Sequence, residues 1–328
     1  MTRVAVIGAG YWGPNLIRNL DQLDALAAAC DLSAERLATV REQHGVRTTT
    51  SFDEILADPG IDAIAVATPV PTHFPLARKA LLAGKHVFVE KPLALSAAEA
   101  DALVDLADER RRVLMVGHLL EYHPAFTAIK ELVAAGELGA IQHIRCSRLN
   151  FGTLRLAENV LWSFAPHDFS LLLRLAGEEP RHVAAAGYRI LGTPREDAVH
   201  VDLEFPSGLS AHVHVSWLEP EKLHQFVVIG SRRMVVFNDI LKTEKLKLYD
   251  KGFDPDGGGF VARNEGYRAI DLGPGEPMQL ELLDFLEACA TGRPPLADGA
   301  SGARVVKVLE RVGQALAADR PGAGRITA

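Results

Sequence analysis

Two groups of residues have the types and spacing that chemistry needs. One is Gly8-Ala9-Gly10-Tyr11-Trp12-Gly13, directly after the apolar run Val4 to Ile7; the other is Glu90-Lys91-Pro92, directly after Val87 to Val89. In the first, Gly8 can make a tight turn, Gly10 lets backbone approach a pyrophosphate, and Gly13 lets the following helix pack closely on its strand. Pro14 suits the first turn of that helix, whose free N–H groups and dipole attract phosphate. In the second, Pro92 has no N–H and cannot continue a ladder, so the strand ends at Glu90 and Lys91. Ligands bind at the carboxyl ends of strands in an open parallel sheet, where a lysine can reach a substrate. Standing alone, the tripeptide reads more readily as a surface lysine beside a turn proline. Its surroundings decide.

Around these patterns the chain alternates strand and helix. Leu16, Ile17 and Leu20 fall on one side of the helix after the glycine turn. Leu26 to Cys30 is alanine-rich and favours helix by propensity, yet it runs into Asp31, near the offset of about 20 residues at which a dinucleotide fold places its ribose-binding acid. We read it as a strand. Asp31 then accepts hydrogen bonds from an adenosine ribose and repels a 2′-phosphate, which favours NAD. Arg36, near enough to reach a phosphate, keeps NADP as the alternative, and a helix cap or loop acid is the competing role for Asp31. Ser51 with Glu54 and Ser96 with Glu99 form capping boxes. Ala63 to Ala67 is a further buried strand followed by the proline-rich stretch Thr68 to His73. Thr68, Pro69 and His73 border the cofactor, or His73 and Thr72 merely cap the helix ending at Gly84. Val113 to Val116 returns to the sheet and leaves His118 at its ligand-facing edge, as a substrate or cofactor contact or as a hydrogen-bonded structural histidine. Five such units predict an α/β domain over residues 1–120, with a parallel, doubly wound sheet covered on both faces. Its expected cofactor contacts are Gly8, Gly10, Tyr11, Trp12, Gly13, Asp31, Arg36, Thr68, Pro69, His73, Glu90, Lys91 and Pro92.

From Tyr122 the pattern changes. A helix carries Phe126, Ile129 and Val133 inward and ends at Gly136, and Ile141 to Asn150 reads as a long strand. Asp197 to Phe205 and Leu209 to Trp217 alternate as a hairpin; keeping both apolar sets together puts Phe205 opposite Leu209, His200 opposite His214 and Asp202 opposite His212. Nothing fixes a third or fourth ligand for a metal there, so no metal is expected, and a second subunit or substrate is the better cover for this polar face. Gln225 to Gly230, Met234 to Asn238 and Lys245 to Tyr249 are further strands, and Phe253 to Phe260 reads as a mobile or extended loop. Two amphipathic helices close the chain. Residues 121–299 therefore predict an α+β domain with an open-faced, mainly antiparallel sheet covered by helices on one face, and the last helix, 300–318, is expected to pack back on the first domain. Tyr122, His123, Arg148, Asn150, Glu158 and Asn159 lie in loops or at strand ends where a polyhydroxyl ligand could be held. Arg148 reads as a phosphate or carboxylate partner or as a surface ion pair, and Trp162 as a stacking surface or as core.

Composition narrows the partners. The 328 residues suffice for two domains. With 35 basic against 42 acidic residues, a net charge of −7 and no long basic run, nucleic acid is not an expected partner. Three cysteines, Cys30, Cys146 and Cys289, lie far apart without metal-ligand spacing, as in a reducing cytosol. No stretch approaches 18 uncharged apolar residues, so a cytoplasmic chain without membrane spans is expected.

With GAGYWG, Asp31, ATPVPTH, VFVEKPLALS and the one-faced sheet in this order, the chain resembles the Gfo/Idh/MocA oxidoreductases over essentially its full length. GPNLIRN, NVLW, APHD, AHVHVSWLEP and RRMVVFND look most like the branch acting on sugars and nucleotide sugars. The resemblance implies a Rossmann domain plus an open-faced sheet domain, bound NAD(P), hydride exchange at a sugar carbon with C3 favoured, and homo-oligomers, dimers or tetramers, built through the sheet. It also implies that Lys91 and His167 stand at the reacting hydroxyl; by their own places in the chain, His118, Tyr122, Arg148, Asn150, Asn159, Trp162 and Ser163 are the candidate substrate contacts beside them. The family pattern has an aspartate four residues before the histidine; this chain has Ser163, which holds no charge and could simply cap the helix, with Pro166 in its first turn. Base duty shifts to His167, kept neutral if near a helix N-terminus, and to Lys91. The missing aspartate also keeps open an NAD-retaining glycoside-cleaving enzyme and a catalytically inactive cofactor- or sugar-sensing protein.

Overall fold

The computed structural model describes residues 2–152 and 158–318. They form two compact units, one of residues up to Tyr122 with Gly275–Lys307, the other of His123–Pro274 with the chain from Val308. In the first unit, strands β1 (Val4–Ile7), β2 (Leu26–Cys30), β3 (Arg47–Thr49), β4 (Ala63–Val66), β5 (His86–Glu90) and β6 (Leu114–Gly117) alternate with helices α1 (Gly13–Gln22), α2 (Ala34–His44), α3 (Phe52–Ala57), α4 (His73–Leu82) and α5 (Ala97–Arg110). The sheet is parallel throughout, in the order β3-β2-β1-β4-β5-β6. The order reverses at β1, which opens the crevice at the carboxyl ends of β1 and β4. The alanine-rich β2 is a strand because it is paired on both sides and buried, and tertiary pairing outweighs helix propensity. Both serines cap their helices, Ser51 Oγ accepting from Glu54 N at 3.3 Å and Ser96 Oγ from Glu99 N at 3.2 Å, while the glutamate side chains accept from Thr49 Oγ1 and Leu95 N rather than from the serine amides.

The second unit begins with α6 (Pro124–Ala134), β7 (Ile141–Phe151) and α7 (Val160–Ala176), followed by β8 (His182–Tyr188), β9 (Ala198–Glu204), β10 (Ser210–Ser216), β11 (Leu218–Gly230), β12 (Met234–Asn238), β13 (Leu246–Asp256) and β14 (Gly259–Ile270). These eight strands make one sheet in the order β14-β13-β12-β11-β7-β10-β9-β8. Every neighbouring pair is antiparallel except β7 with β10, which run parallel. The hairpin register is the one that alternation demands: His200 pairs with His214, Asp202 with His212, and Phe205 N donates to Leu209 O at 2.9 Å. Ile144, Cys146, Val199, Val201, Val213, Val215, Phe226 and Val228 are buried on one face, where α7 packs. On the other face, His200 and His214 stack with ring centroids 4.0 Å apart, and His212 Nδ1 lies 2.8 Å from Asp202 Oδ1.

One expectation for this sheet needs correction, and two strands went unread. Phe253 to Phe260 is not a loop but a two-stranded ribbon, pairing Phe253 with Ala262 and Pro255 with Phe260 around Gly257 and Gly258, whose φ values are 52° and 94°. A proline is tolerated there because the ribbon has no further strand to receive its missing N–H. β8 and β14 gave no clear alternation because they are the sheet's edge strands and are largely exposed.

Helices α8 (Pro277–Thr291) and α9 (Gly299–Ala318) close the chain. The expected boundary at 299 is too late, since α8 belongs to the first unit: Met278, Leu282, Phe285 and Ala288 share a core with Val4, Val6, Phe88 and Met115. α9 is divided rather than devoted to the first domain, because its residues to Lys307 belong to the first unit and those from Val308 to the second. A Cβ at Gly302 would lie 2.4 Å from Val116 Cγ2, so only glycine lets the helix backbone approach β6 this closely. Phe88 and Phe285 meet edge to face at 5.7 Å. Phe285→Ala is expected to destabilise the protein by about 3–5 kcal/mol, read as a lower urea midpoint; an unchanged midpoint would contradict α8 as a core element.

Candidate active site

The turn after β1 accepts only glycine at two positions. Gly8 has φ +98°, and a Cβ there would sit 2.7 Å from Ala67 O; a Cβ on Gly13 would sit 1.9 Å from Gly8 O. Gly10 meets nothing closer than Arg36 Nη1 at 3.7 Å, which leaves its backbone open to a ligand. Trp12, the N-cap of α1, makes no side-chain cap bond, and Pro14 occupies the first turn, so no cap side chain competes with a phosphate for the first amides. Asp31 holds the turn from the next strand: Oδ2 accepts from Ala9 N at 2.7 Å and Oδ1 from Ser33 N at 2.8 Å. Each oxygen keeps a second lone pair for a ribose hydroxyl. The Arg36 guanidinium stands 3.7 Å from Asp31 and is more than half exposed, while Tyr11 points largely into solvent. The cradle thus offers open backbone at Gly10, uncapped amides on α1 and free lone pairs on Asp31, the groups that a dinucleotide's pyrophosphate and ribose would need.

Lys91 follows β5, and its peptide bond to Pro92 is cis. Glu90, buried, is pushed up to about 7 by burial, with the Lys91 charge pulling it back. Gly117 on β6 makes room for it, since a Cβ there would lie 2.9 Å from Glu90 Oε2. On α8, Glu281 is buried and held well above the usual carboxylate range by burial and by Glu90, Glu121 and Asp284. His73 is buried, with Nδ1 2.8 Å from Pro92 O and Nε2 2.8 Å from Thr68 O. Its role is therefore not a helix cap: it opens α4 and ties the Thr68 loop to the Lys91–Pro92 turn. Thr72 makes no side-chain cap either, donating instead to Pro69 O or Thr68 Oγ1, both at 2.7 Å. His118 is buried just beyond β6. Tyr122 is buried and engaged within its own unit: its hydroxyl donates to Asp284 Oδ2 at 2.5 Å and accepts from Ala297 N at 3.1 Å.

In the second unit His167 is the eighth residue of α7, two turns in rather than at the N-terminus, so the end of the helix dipole, felt within the first turn, is not what sets its charge. Ser163 is not the cap. Asn159 is, its Oδ1 accepting from Trp162 N at 3.2 Å while its Nδ2 donates to Glu196 Oε2 at 2.8 Å. Ser163 is buried inside the helix, and Pro166 is an interior proline rather than a first-turn one, so the Trp162 carbonyl lacks its usual helix donor beside His167. Trp162 is partly buried, as is Glu158. Asn150 Oδ1 is buried without a hydrogen-bond partner among the described residues. His123 caps α6 by accepting from Ala125 N at 3.0 Å and stacks on Phe237.

Arg148 is not a surface ion pair. Its Nε and Nη2 donate to the two Asp168 oxygens at 2.9 and 3.1 Å, with side-chain exposures of 11% and 3%. Sequence reasoning passed over Asp168 although it adjoins His167. The signal was there: Arg148 continues the inward alternation of Ile144 and Cys146, and a charge pointing inward needs a partner. His224 Nδ1 lies 3.4 Å from Arg148 Nη1, and burial together with the Arg148 and Lys222 charges lowers its pKa to about 3.

A parallel sheet whose first turn admits only glycine, with an acid at the end of the next strand, defines a dinucleotide-binding Rossmann unit. Residues 2–118 match the oxidoreductase family with an NAD-binding Rossmann fold, and residues 126–236 the GFO/IDH/MocA C-terminal domain. The chain belongs to the GFO/IDH/MocA oxidoreductase family and binds NAD. It is 32% identical over 311 residues to UDP-N-acetylglucosamine 3-dehydrogenase of Acidithiobacillus ferrooxidans, covering 94% of this chain and 96% of that protein. The solved structure of that enzyme superposes with a TM-score of 0.84 over 96% of this chain and 97% of the other. The scyllo-inositol 2-dehydrogenase (NAD(+)) of Bacillus subtilis is 30% identical over 316 residues, 90% of this chain and 88% of that one. GenD2 from gentamicin A biosynthesis, solved in complex with NAD, is 26% identical with a TM-score of 0.82, covering 98% and 96%. No helix among the described residues is long and apolar enough to cross a membrane.

Arg148→Met strands the Asp168 carboxylate and is expected to cost about 3–5 kcal/mol, whereas Arg148→Met with Asp168→Leu recovers most of it; equal losses in urea unfolding would contradict a buried pair. His224 folds in its neutral form, while the unfolded chain takes up a proton near 6.5. Its contribution to stability is thus complete above about pH 6.5 and is lost as pH falls from there toward about 3. His224→Gln should flatten the acid dependence of the urea midpoint over that window, and an unchanged slope would count against it.

Proposed function

We propose that this protein is an NAD-dependent dehydrogenase or ketoreductase acting on a secondary alcohol or ketone of a sugar or nucleotide sugar, with C3 favoured, and that Lys91 and His167 handle the proton. The observation that carries this reading is the similarity to UDP-N-acetylglucosamine 3-dehydrogenase over both units of the chain. NAD, which Gly10, the first turn of α1 and Asp31 would hold, would supply the hydride acceptor for oxidation of the alcohol to a carbonyl. The chain's own groups must then remove the hydroxyl proton and steady the developing alkoxide. Lys91 Nζ steadies the alkoxide as an ammonium, and the ionised form of Glu90 keeps it charged. His167 accepts the proton, without the carboxylate one turn before it that would stabilise the imidazolium, because Ser163 stands there. Asn150 Oδ1 supplies an acceptor for a sugar hydroxyl, with Trp162 and His118 as further substrate contacts. Asp31 favours NAD over NADP, and the polar sheet face around His200 and His214 serves self-association.

Ser163 also favours a second reading, a cofactor- or sugar-sensing protein that retains NAD and has lost turnover. NADH formation with UDP-N-acetylglucosamine, compared with myo- and scyllo-inositol, separates the two. The nucleotide sugar is expected to be oxidised, and Lys91→Met to lower kcat/KM by about a thousandfold while NAD affinity changes by less than about threefold. Normal turnover in Lys91→Met would exclude its role, and tight NAD binding without turnover on any sugar would favour the sensor.

A further inference from the structure

Both ring nitrogens of His73 meet backbone carbonyl oxygens, Nδ1 at Pro92 O and Nε2 at Thr68 O, each at 2.8 Å, and the residue is 1% exposed. A carbonyl only accepts, and a neutral imidazole has a single N–H. In the neutral ring one of these contacts would therefore set lone pair against lone pair at hydrogen-bond distance; the imidazolium donates to both. The two carbonyls follow neighbouring strands, since β4 and β5 pair Val66 with Val89, and Thr68 and Pro92 lie two and three residues further on. We propose that His73 is an imidazolium in the working protein and that its two charge-assisted bonds clamp the Thr68 loop to the Lys91–Pro92 turn, making His73 a positioning residue for Lys91.

This inference rests on the reading of Lys91 given above. The titratable and charged groups on the elements around the clamp are His86 and Glu90 on β5 with Lys91 directly after it, Glu99, Asp101, Asp105, Asp108, Glu109 and Arg110 on α5, which packs against α4, and Arg78 and Lys79 on α4 itself. When His73 gives up its proton, one carbonyl loses its donor and the turn carrying Lys91 is released on that side. A misplacement of about 1 Å at a reacting group costs on the order of 100-fold in rate.

The charge is read directly in the NAD-loaded protein labelled with 15N-histidine, the His73 signal being the one missing in His73→Gln. Both ring nitrogens are expected to carry protons at about pH 8, where a free histidine is neutral; a single protonated nitrogen at neutral pH overturns the proposal, and this arm needs no variant to fold or turn over. With UDP-N-acetylglucosamine and NAD as the probe, His73→Gln is expected to lower kcat by about 10- to 100-fold, with less effect on KM for NAD, and to lack the alkaline step that in the unaltered protein tracks the loss of the His73 proton. An unaltered kcat and pH profile in His73→Gln overturns the positioning role even with both nitrogens protonated. Lys91→Met separates the two readings, because it is expected to lower kcat/KM by about a thousandfold and leave the doubly protonated signal in place. Normal turnover there takes the positioning role down with the Lys91 reading, while the measured charge of His73 stands.

Discussion

A single steric constraint underlies the first unit: the Cβ position of Gly13 lies 1.9 Å from the carbonyl oxygen of Gly8. No side chain fits there, so α1 can begin directly against the turn that leaves β1, with its first amides left uncapped, as a pyrophosphate would require. Asp31 then fixes the turn by accepting from Ala9 N and Ser33 N. The same economy recurs at the other strand ends. Gly117 gives up its side chain to admit the Glu90 carboxylate, and His73 links the segments that leave β4 and β5. Lys91 is held on a turn whose neighbours on both sides are tied down.

The second unit solves a different problem. Its long mixed sheet is apolar where α7 covers it and polar on the opposite face, but beside His167 the covered face carries a buried charge. Arg148 and Asp168 satisfy each other with two hydrogen bonds, which joins the middle of α7 to β7. A buried pair of this kind contributes little net stability against an apolar replacement, but breaking it from one side is costly, so it enforces one placement of the helix.

Much of this was legible in the sequence. The glycine spacing, Asp31, the serine caps and the parallel strand pattern all report local constraints, and the hairpin from Ala198 to Ser216 followed from period-two alternation alone. What escaped was long-range. Asp284, itself held by Arg293, claims the Tyr122 hydroxyl from 162 residues away, so no local pattern could show that bond. α8 looked like part of the second domain because chain order does not reveal that Phe285 packs on Phe88. The ribbon from Phe253 to Ala262 was hidden by proline and glycine, which mark loops but are also tolerated in an edge ribbon closed by a glycine turn. A cap was one of the roles open to Ser163, and Asn159, four residues earlier, fills it.

The central claim is that a hydride passes directly between bound NAD and a sugar carbon. It is tested most directly by incubating the protein and NAD with UDP-N-acetylglucosamine carrying deuterium at C3 and weighing the reduced cofactor by mass spectrometry. The account predicts NADH heavier by one deuterium, in step with oxidation at C3. Unlabelled NADH from the same substrate, or cofactor that stays oxidised while the sugar is bound, would contradict it.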